Sequence, residues 1–294
     1  MMKEDYKGGK CLNKFKRIIG DKISKYTPML YTHLSFWLKT GYFLNLKHPK
    51  SLSEKITYIN LYKQSPYATI CADKYEVRNY LKKWGYDKYL VDLIGVWDNA
   101  DDIDLNKLPD KFVLKCNHGC GYNIICTDKS TLDIKSTKIQ LNKWLKENYG
   151  EQHRELHYAN IKPRIICEKY IEGLSDDQLP IDYKIHCSRG KFLFLLCVKR
   201  EEPIKWEILN SDFISIPSAL REKEHKFNAL TPKNYKKMLE IAKVISTDFD
   251  IIRVDFYEVD GQMILGELTI TPAGGRFWYI TKAFDFYMGN KVKL

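Results

Sequence analysis

Residues 253–270 are Arg-Val-Asp-Phe-Tyr-Glu-Val-Asp-Gly-Gln-Met-Ile-Leu-Gly-Glu-Leu-Thr-Ile. An Asp-Gly pair between two runs of alternating apolar residues is a strong signal for a β-hairpin. With that pair as the turn, Asp255 faces about Gly266, and Glu267 lies one step away. Two acids this close repel each other and are costly to bury unless a cation lies between them.

The hairpin therefore indicates a site for Mg²⁺, which prefers hard oxygen ligands and commonly bridges substrate phosphates. Arg253 lies two residues before Asp255, so the two side chains point to the same face of the sheet. The alternative is a surface hairpin with solvated acids and an ordinary Arg–Asp pair. The hairpin alone does not decide between the two.

A second candidate site is a strand that ends in a lysine and leads into a glycine-bearing turn. Lys115 closes the apolar run 112–114, and Gly119 and Gly121 precede the next apolar run, 123–126. A lysine supplies a point charge for a phosphate, and glycines let backbone N–H groups approach phosphate oxygens. A solvated lysine beside an ordinary hairpin turn is the alternative.

A third candidate group lies on two predicted strands that are connected by a polar loop, residues 172–180. Glu168 and Lys169 end the first strand, and Asp182 and Lys184 open the second. Asp182 and Lys184 are two residues apart and so share one face of the sheet. Together these groups could grip a nucleoside, and an ordinary charged strand pair is the alternative.

The remaining patterns predict a mixed α+β chain with antiparallel sheets. Ser51 and Glu54 form a capping-box pattern before a helix that runs to about residue 63. Further helices are predicted at 73–85, 136–148 and 233–246, and further strands at 89–93, 95–97 and 191–199, whereas residues 201–232 give no clear pattern. A doubly wound nucleotide fold is not favoured, because regular βαβ alternation and a G-x-x-x-x-G-K-[ST] loop are both missing from the sequence.

The cysteines favour a reducing compartment. None of the eight forms a C-x-x-C pair, which argues against a zinc site. Residues 1–25 lack the apolar core of a secretion signal, so we expect the cytoplasm. Six cysteines lie in apolar runs and are expected to be buried, namely Cys71, Cys116, Cys126, Cys167, Cys187 and Cys197.

Positive charge is concentrated near the N-terminus. The 294 residues carry a net charge of +11, and the first 63 contain 13 lysines and arginines but four acids, so the remaining 231 carry only +2. This favours an acidic glycan or the anionic inner membrane leaflet as partner of the N-terminal segment. The aromatic stretch 29–46 is too short and polar to span a membrane, and either lies on a membrane surface or packs on the main domain. Nucleic-acid binding is not favoured, since no RNA or DNA module signature is present.

In their order along the chain, these motifs resemble the ATP-grasp enzymes, and in particular the TupA-like branch linked to teichuronopeptide and surface-polysaccharide biosynthesis. The resemblance covers roughly residues 40–290. The stretches that carry it are 44–55 (Leu-Asn-Leu-Lys-His-Pro-Lys-Ser-Leu-Ser-Glu-Lys), 72–78 (Ala-Asp-Lys-Tyr-Glu-Val-Arg), 95–97 (Gly-Val-Trp), 115–121 (Lys-Cys-Asn-His-Gly-Cys-Gly), 168–171 (Glu-Lys-Tyr-Ile), 182–184 (Asp-Tyr-Lys), 253–255 (Arg-Val-Asp) and 266–269 (Gly-Glu-Leu-Thr).

The resemblance implies an α+β ATP-grasp fold in which two antiparallel-sheet subdomains grip ATP. Four parts are expected: a basic helical N-terminal segment (1–64), a helix with short strands (65–110), an N-terminal subdomain with the lysine and glycine loop (111–172), and a C-terminal subdomain with the magnesium and phosphate site (173–294).

The resemblance also implies a role for each candidate residue. Lys115 and Lys184 contact the phosphates of ATP, residues 119–123 close over them, residues 168–171 lie beside adenine, and Asp182 holds the ribose. The residues implied in ATP binding are Lys115, His118, Gly119, Gly121, Asn123, Glu168, Lys169, Tyr170, Ile171, Asp182 and Lys184.

Metal, catalytic and substrate roles follow in the same way. Asp255 and Glu267 resemble the carboxylates that hold Mg²⁺, and Thr269 stands where many ATP-grasp ligases have an asparagine ligand, so a second Mg²⁺ is held less well. Arg253, catalytic together with Lys115, resembles the arginine that steadies the transferred phosphoryl group. The substrate is expected against Arg253, Gly274, Gly275 and Arg276.

The implied activity is that of an ADP-forming carboxylate–amine ligase. The branch's link to acidic polysaccharides favours a uronic-acid carboxylate joined to an amino acid or amine, in the cytoplasm or at the inner face of its membrane. An activated amino acid joined to an amino sugar stays open. The alternatives are a sugar kinase and a glycosyltransferase. For the glycosyltransferase, the acids in 101–104 match a nucleotide-sugar motif by letter only, and we expect them to cap or solvate the turn before Pro109.

Overall fold

The computed structural model describes Ser24 and residues 26–171, 180–222 and 226–294, and these residues build two antiparallel sheets. The first sheet has the order β1-β4-β2-β3, with β1 (Leu93–Trp97), β2 (Phe112–Cys116), β3 (Asn123–Cys126) and β4 (Ile165–Lys169). The second has the order β7-β6-β5-β8-β9, with β5 (Asp182–Ser188), β6 (Lys191–Lys199), β7 (Lys205–Leu209), β8 (Ile252–Val259) and β9 (Gln262–Thr269). The expected mixed α+β architecture is confirmed.

Helices lie before, between and after the strands. They are α1 (Pro28–Thr40), α2 (Leu52–Tyr62), α3 (Ala68–Ala72), α4 (Val77–Lys82), α5 (Ile134–Leu145), α6 (Tyr149–His153), α7 (Tyr235–Ile245) and α8 (Lys282–Lys291). A 3-10 turn, Pro272–Gly275, follows β9. The helices predicted after residues 51, 136 and 233 are present with small shifts of their ends.

The second sheet is covered on both faces. Val254 on β8 and Ile185 on β5 belong to the core that includes α7, and Phe194 on β6 belongs to the opposite core with α2 and α8. Because side chains alternate along a strand, Asp182, Lys184, Arg253 and Asp255 all point to the face that carries Phe194. Four charged groups therefore share one face of a buried sheet.

The β8–β9 hairpin keeps the register expected from its turn as far as Phe256 and shifts by one residue beyond it. Phe256 pairs with Leu265 as the Asp-Gly turn requires, but Asp255 pairs with Glu267, since a β-bulge at Gly266 inserts one extra residue. The two acids are therefore directly opposite each other.

The bulge also determines which face of the sheet carries the Glu267 side chain. Met263 and Leu265 belong to the core under α7, and uninterrupted alternation would send Glu267 there as well. After the bulge it is Leu268 that enters this core. Glu267 and Thr269 consequently turn to the face that carries Asp255.

Two further expectations need correction. Of the strand predicted at 89–93, only Leu93 is in a strand, because Asp87–Tyr89 forms a 3-10 turn. Residues 201–232, which gave no pattern, contain β7 at the edge of the second sheet. The polar loop expected at 172–180 lies outside the described residues, except for Pro180.

The N-terminal helices are fastened to the C-terminal helix by buried polar contacts. The predicted capping box is confirmed, since Ser51 accepts from the Glu54 N–H at 3.1 Å and Glu54 accepts from the Ser51 N–H at 2.9 Å. Asp285 on α8 accepts from the Ser53 N–H (2.9 Å), the Ser53 hydroxyl (2.6 Å) and the Tyr42 hydroxyl (2.7 Å). This carboxylate joins α2 to α8.

All six cysteines that were expected to be buried are buried, and the described cysteines are free thiols. Among the described residues, no helix has the length and apolar character needed to cross a membrane.

Replacing Gly266 by alanine should destabilise the hairpin, because the new Cβ would lie 2.4 Å from Cε2 of the Tyr257 ring. Forcing an extra methyl group into a packed site costs about 1–3 kcal/mol, and we expect the free energy of unfolding in urea to fall by that much. The loss should shrink in a Tyr257→Ala background. An equal loss in both backgrounds would show that the ring is not the obstacle.

Candidate active site

Asp255 is the centre of a buried charge cluster on the second sheet. Its side chain is 2% exposed, and both of its oxygens are engaged. Lys184 on the neighbouring strand donates to Oδ2 at 2.6 Å, and Arg253 donates to Oδ1 and Oδ2 at 2.6 and 2.7 Å. Burial alone would raise the pKa of Asp255, but the charges of Arg253 and Lys184 hold that pKa well below its usual value. Asp255 is therefore an anion throughout the physiological pH range.

Glu267 and Thr269 complete this cluster on the next strand. Glu267 lies opposite Asp255, and Thr269 lies opposite Arg253. The Thr269 hydroxyl is buried and makes no hydrogen bond within the described part of the chain. In the same residues, no group of three or more His, Cys, Asp or Glu side chains is arranged to hold a metal. Two carboxylates and an unused hydroxyl fit Mg²⁺, which takes few protein ligands and fills its shell with water and phosphate oxygens.

Asp182 lies at the start of β5 with its side chain fully buried. Arg200 donates to its Oδ2 at 2.8 Å, and the Lys184 ammonium lies 3.7 Å from its Oδ1. Lys184 thus bridges Asp182 and Asp255. Sequence reasoning did not find Arg200, since no pattern predicts that the residue just after β6 folds back onto the start of β5.

A second charge cluster lies on the first sheet. The Lys115 ammonium donates to Oε2 of Glu168 at 2.5 Å, and Arg78 on α4 donates to Oε1 of the same carboxylate at 2.8 Å. Lys115 is the more exposed of the two cations, with 29% of its side chain accessible against 19% for Arg78. Arg78 belongs to a stretch that carried the family resemblance, but no role was predicted for it.

The glycine loop between β2 and β3 is held at its base. Asn117 donates to Asp73 at 2.8 Å and to the Lys162 carbonyl at 3.0 Å, and Lys74 donates to the Gly119 carbonyl. A side chain at Gly119 would collide with the rings of Tyr122 and Tyr149, at 2.8 and 2.9 Å. By contrast, Gly121 has a φ of +77° and open space around it. The loop is thus tightly packed on one side and open on the other.

His118, which the resemblance implied in ATP binding, lies buried under the glycine loop. The side chain is buried, Nε2 lies 3.1 Å from the Trp144 carbonyl of α5, and Nδ1 has no hydrogen-bond partner among the described residues. Burial lowers the pKa of His118, so the ring is neutral. It supports the loop from below.

The other residues expected near the nucleotide lie at two ends of the first sheet, since Asn123 pairs with Lys115 and Lys169 pairs with Phe112 at the other end of β2. Asn123 at the start of β3 and Lys169 at the end of β4 are exposed, and Tyr170 and Ile171 are half-buried. Their roles stay predictions.

The tip of the glycine loop lies close to the second sheet. The pKa of the Cys120 thiol is raised, mainly by burial and also by the negative charge of Glu267. The positive charge of Arg253 lowers this pKa. The tip of the glycine loop therefore lies within electrostatic range of charged groups on β8 and β9. Lys115 lies on β2, the strand that leads into this loop.

A tight turn follows β9 and packs against the N-terminal helices. Gly274 and Gly275 have φ values of +59° and +69°, and a side chain at Gly275 would lie 2.6 Å from the Thr57 hydroxyl of α2. Arg276 donates to the Gly274 carbonyl at 3.1 Å and to the Ser35 hydroxyl of α1 at 2.9 Å. The turn is therefore fixed against both N-terminal helices.

Glu155 is a half-buried acid beside this turn that sequence reasoning missed. Its carboxylate accepts a hydrogen bond from the Thr271 hydroxyl. Burial raises the pKa of Glu155, and the charge of Arg276 acts against that rise. The sequence gives no signal for it, because it lies in an irregular connection between α6 and β4.

The sequence matches the family described as TupA-like ATPgrasp over residues 54–293. The chain belongs to this family. The expected TupA-like ATP-grasp family and its fold are thereby confirmed. No curated protein matches the sequence significantly.

Among solved structures, the TupA-like chain resembles D-alanine–D-alanine ligase from Bacillus anthracis, with 17% identity, a TM-score of 0.46, and 78% of this chain and 69% of the other covered. It also resembles L-amino acid ligase from Bacillus licheniformis, with 14% identity, a TM-score of 0.47, and coverages of 76% and 49%. D-alanine–D-alanine ligase from Helicobacter pylori is also similar, with 14% identity, a TM-score of 0.46, and 83% of this chain and 67% of the other covered. At these identities the likeness concerns the fold alone.

The two facing acids, Asp255 and Glu267, should differ in their effect on stability. Asp255→Asn leaves Arg253 buried without its hydrogen-bonded carboxylate and leaves Lys184 only Asp182, 3.7 Å away, and breaking a buried ion pair in this way costs about 3–5 kcal/mol. Glu267→Gln removes no hydrogen bond within the described residues, so we expect a change within about 1 kcal/mol. Urea unfolding of the two variants measures both values. Equal losses would contradict the buried ion-pair assignment.

Proposed function

We propose that this TupA-like protein is an ADP-forming carboxylate–amine ligase of surface-polysaccharide biosynthesis. A substrate carboxylate attacks the γ-phosphate of ATP and becomes an acyl phosphate, while ADP leaves. The amine then attacks the acyl carbon, inorganic phosphate leaves, and an amide forms. This chemistry asks the protein mainly for positioning and for neutralisation of phosphate charge.

The observation that carries the proposal is the direct opposition of Asp255 and Glu267 on β8 and β9. Two acids on neighbouring strands, with Arg253 and Lys184 beside them, form a site that binds cations and anions together. A polyphosphate with its metal ion presents this mixture of charges.

We assign the nucleotide to the cleft between the two sheets. Lys115 on β2 and Lys184 on β5 supply positive charge from opposite sides, and the N–H groups of 119–121 approach the phosphates from above. Residues 168–171 read the adenine edge through their backbone, and Asp182 holds the ribose. In support, the negative charge of Glu267 acts on the Cys120 thiol at the tip of the loop.

Mg²⁺ is held by Asp255, Glu267 and Thr269 in this proposal. When bound, the ion supplies charge neutralisation at the transferred phosphoryl group. The Thr269 hydroxyl, which has no hydrogen-bond partner among the described residues, would be the third protein ligand. Arg253 hydrogen-bonds Asp255 with both Nε and Nη2, and we assign to it the stabilisation of charge that develops on the transferred phosphoryl group.

The substrate lies between Arg253 and the turn 274–276. Arg276 supplies a fixed positive charge, because its guanidinium is held by the Gly274 carbonyl and the Ser35 hydroxyl. A fixed guanidinium suits an acidic substrate. We therefore infer a uronic-acid carboxylate as the activated group and an amino acid or amine as the acceptor, in line with the polysaccharide link of the TupA-like branch.

We further propose that the enzyme works in the cytoplasm, where ATP is made and where free thiols persist. The boundary between its two ATP-grasp subdomains is proposed at residue 172, between β4 and β5.

Purified protein incubated with ATP, Mg²⁺, a uronic acid and a panel of amino acids should release ADP and phosphate and give a product whose mass increases by one amino-acid unit. Glu267→Gln should lower the turnover number by about a hundredfold or more, since charge stabilisation of this kind is worth several kcal/mol. The matched control is Glu240→Gln, an exposed acid on α7 that pairs with Lys237.

Other outcomes would overturn the proposal. Release of AMP excludes an acyl-phosphate route. A product heavier by about 80 Da identifies a phosphorylated sugar and hence a kinase. Unchanged turnover in Glu267→Gln removes the metal assignment.

A further inference from the structure

α1 exposes an apolar face that the rest of the described chain leaves uncovered. Leu30, Leu34, Trp37 and Leu38 recur at helical spacing and are 59%, 39%, 43% and 67% exposed. Phe43, just after the helix, is 81% exposed and stacks on Trp37 with ring centroids 6.2 Å apart. We call these five residues the α1 face. Single exposed apolar residues are ordinary, but a contiguous patch of them marks an interaction surface.

The opposite side of α1 fixes this orientation. Thr32, Phe36 and Thr40 are buried, and Ser35 accepts a hydrogen bond from Arg276 at 2.9 Å. The helix therefore cannot roll to hide its outer face without breaking the contact to the candidate substrate turn. The exposure belongs to the folded state and is not a frayed end.

The sequence around the α1 face is basic. Residues 22–53 contain five lysines and no acidic residue, and Lys39, Lys47 and Lys50 are exposed. A helix with an outward apolar side, aromatic residues and flanking lysines fits the interface of an anionic bilayer. Each lysine near such a surface adds about 1 kcal/mol.

We propose that the α1 face docks this protein on an anionic membrane surface. The 13 residues of α1 span about 20 Å at 1.5 Å per residue, so the helix lies in the interface and does not cross the bilayer. Its inner side is bound to Arg276, so docking brings the cleft close to the lipid surface. This inference does not depend on the proposed reaction.

Two other occupants fit the α1 face less well. An acidic glycan would pair with the lysines and stack on Trp37, but Leu30 and Leu38 gain little from a hydroxyl-rich chain. A second copy of the protein would bring the same cluster of lysines face to face, and like charges opposed across an interface are unfavourable.

Sedimentation with lipid vesicles tests the proposal. Full-length protein should sediment with phosphatidylcholine vesicles that contain about 30 mol% phosphatidylglycerol and much less with phosphatidylcholine alone. The combined variant Leu30→Ser, Trp37→Ser and Leu38→Ser should bind about tenfold more weakly or worse. The matched control replaces Ile139, Ile214 and Leu230 by serine, because these side chains are 61%, 60% and 76% exposed on other surfaces.

A second variant keeps the test independent of folding. This variant combines Lys39→Gln, Lys47→Gln and Lys50→Gln and changes no apolar residue. It should bind the phosphatidylglycerol vesicles about tenfold more weakly or worse. Glu267→Gln should bind vesicles as the wild type does, so a failure of the ligase proposal leaves this result untouched.

Three results would overturn the proposal: wild-type protein that stays in the supernatant, a face variant that binds like the wild type, or binding to polygalacturonate in place of vesicles. A dimer that the face variant converts to a monomer in light scattering, without vesicle binding, would instead identify a self-association surface.

Discussion

The structure depends on one buried ion cluster, in which Asp255 accepts hydrogen bonds from Lys184 and Arg253. Removing three charges from water is expensive, and only close hydrogen bonding among them compensates for the cost. That requirement fixes the pairing register of β5 and β8, because Lys184 must lie beside Asp255 on the neighbouring strand. A slip of one residue in either strand would turn these side chains into the apolar core.

The same constraint explains the place of the bulge. Strict alternation would place Asp255 and Glu267 on opposite faces of the hairpin. Gly266 provides the extra residue that reverses the alternation, and the Tyr257 ring occupies the space that a side chain there would need. A local irregularity in the sheet is therefore what creates a pair of facing acids.

Most of the fold was predictable from local patterns, and most of the supporting contacts were not. The Asp-Gly turn, the capping box and the alternating strands are encoded within a few residues, and each was found. Arg78 and Arg200 act on Glu168 and Asp182 across 90 and 18 positions of the chain. Glu155 and the buried ring of His118 also acquire their surroundings only in the folded chain. Sequence spacing does not predict these contacts, because they form only when folded helices and strands pack against each other.

The contact between Ser53 and Asp285 joins residues 232 positions apart. On the ribosome, α2 emerges early but meets α8 only when almost all of the intervening chain has been made. The apolar side of α2 therefore stays without its partner helix through most of translation, either exposed or covered by other factors. The core that α2 shares with α8 is completed last, and a chain that ends before Asp285 would lack the carboxylate that binds Ser53.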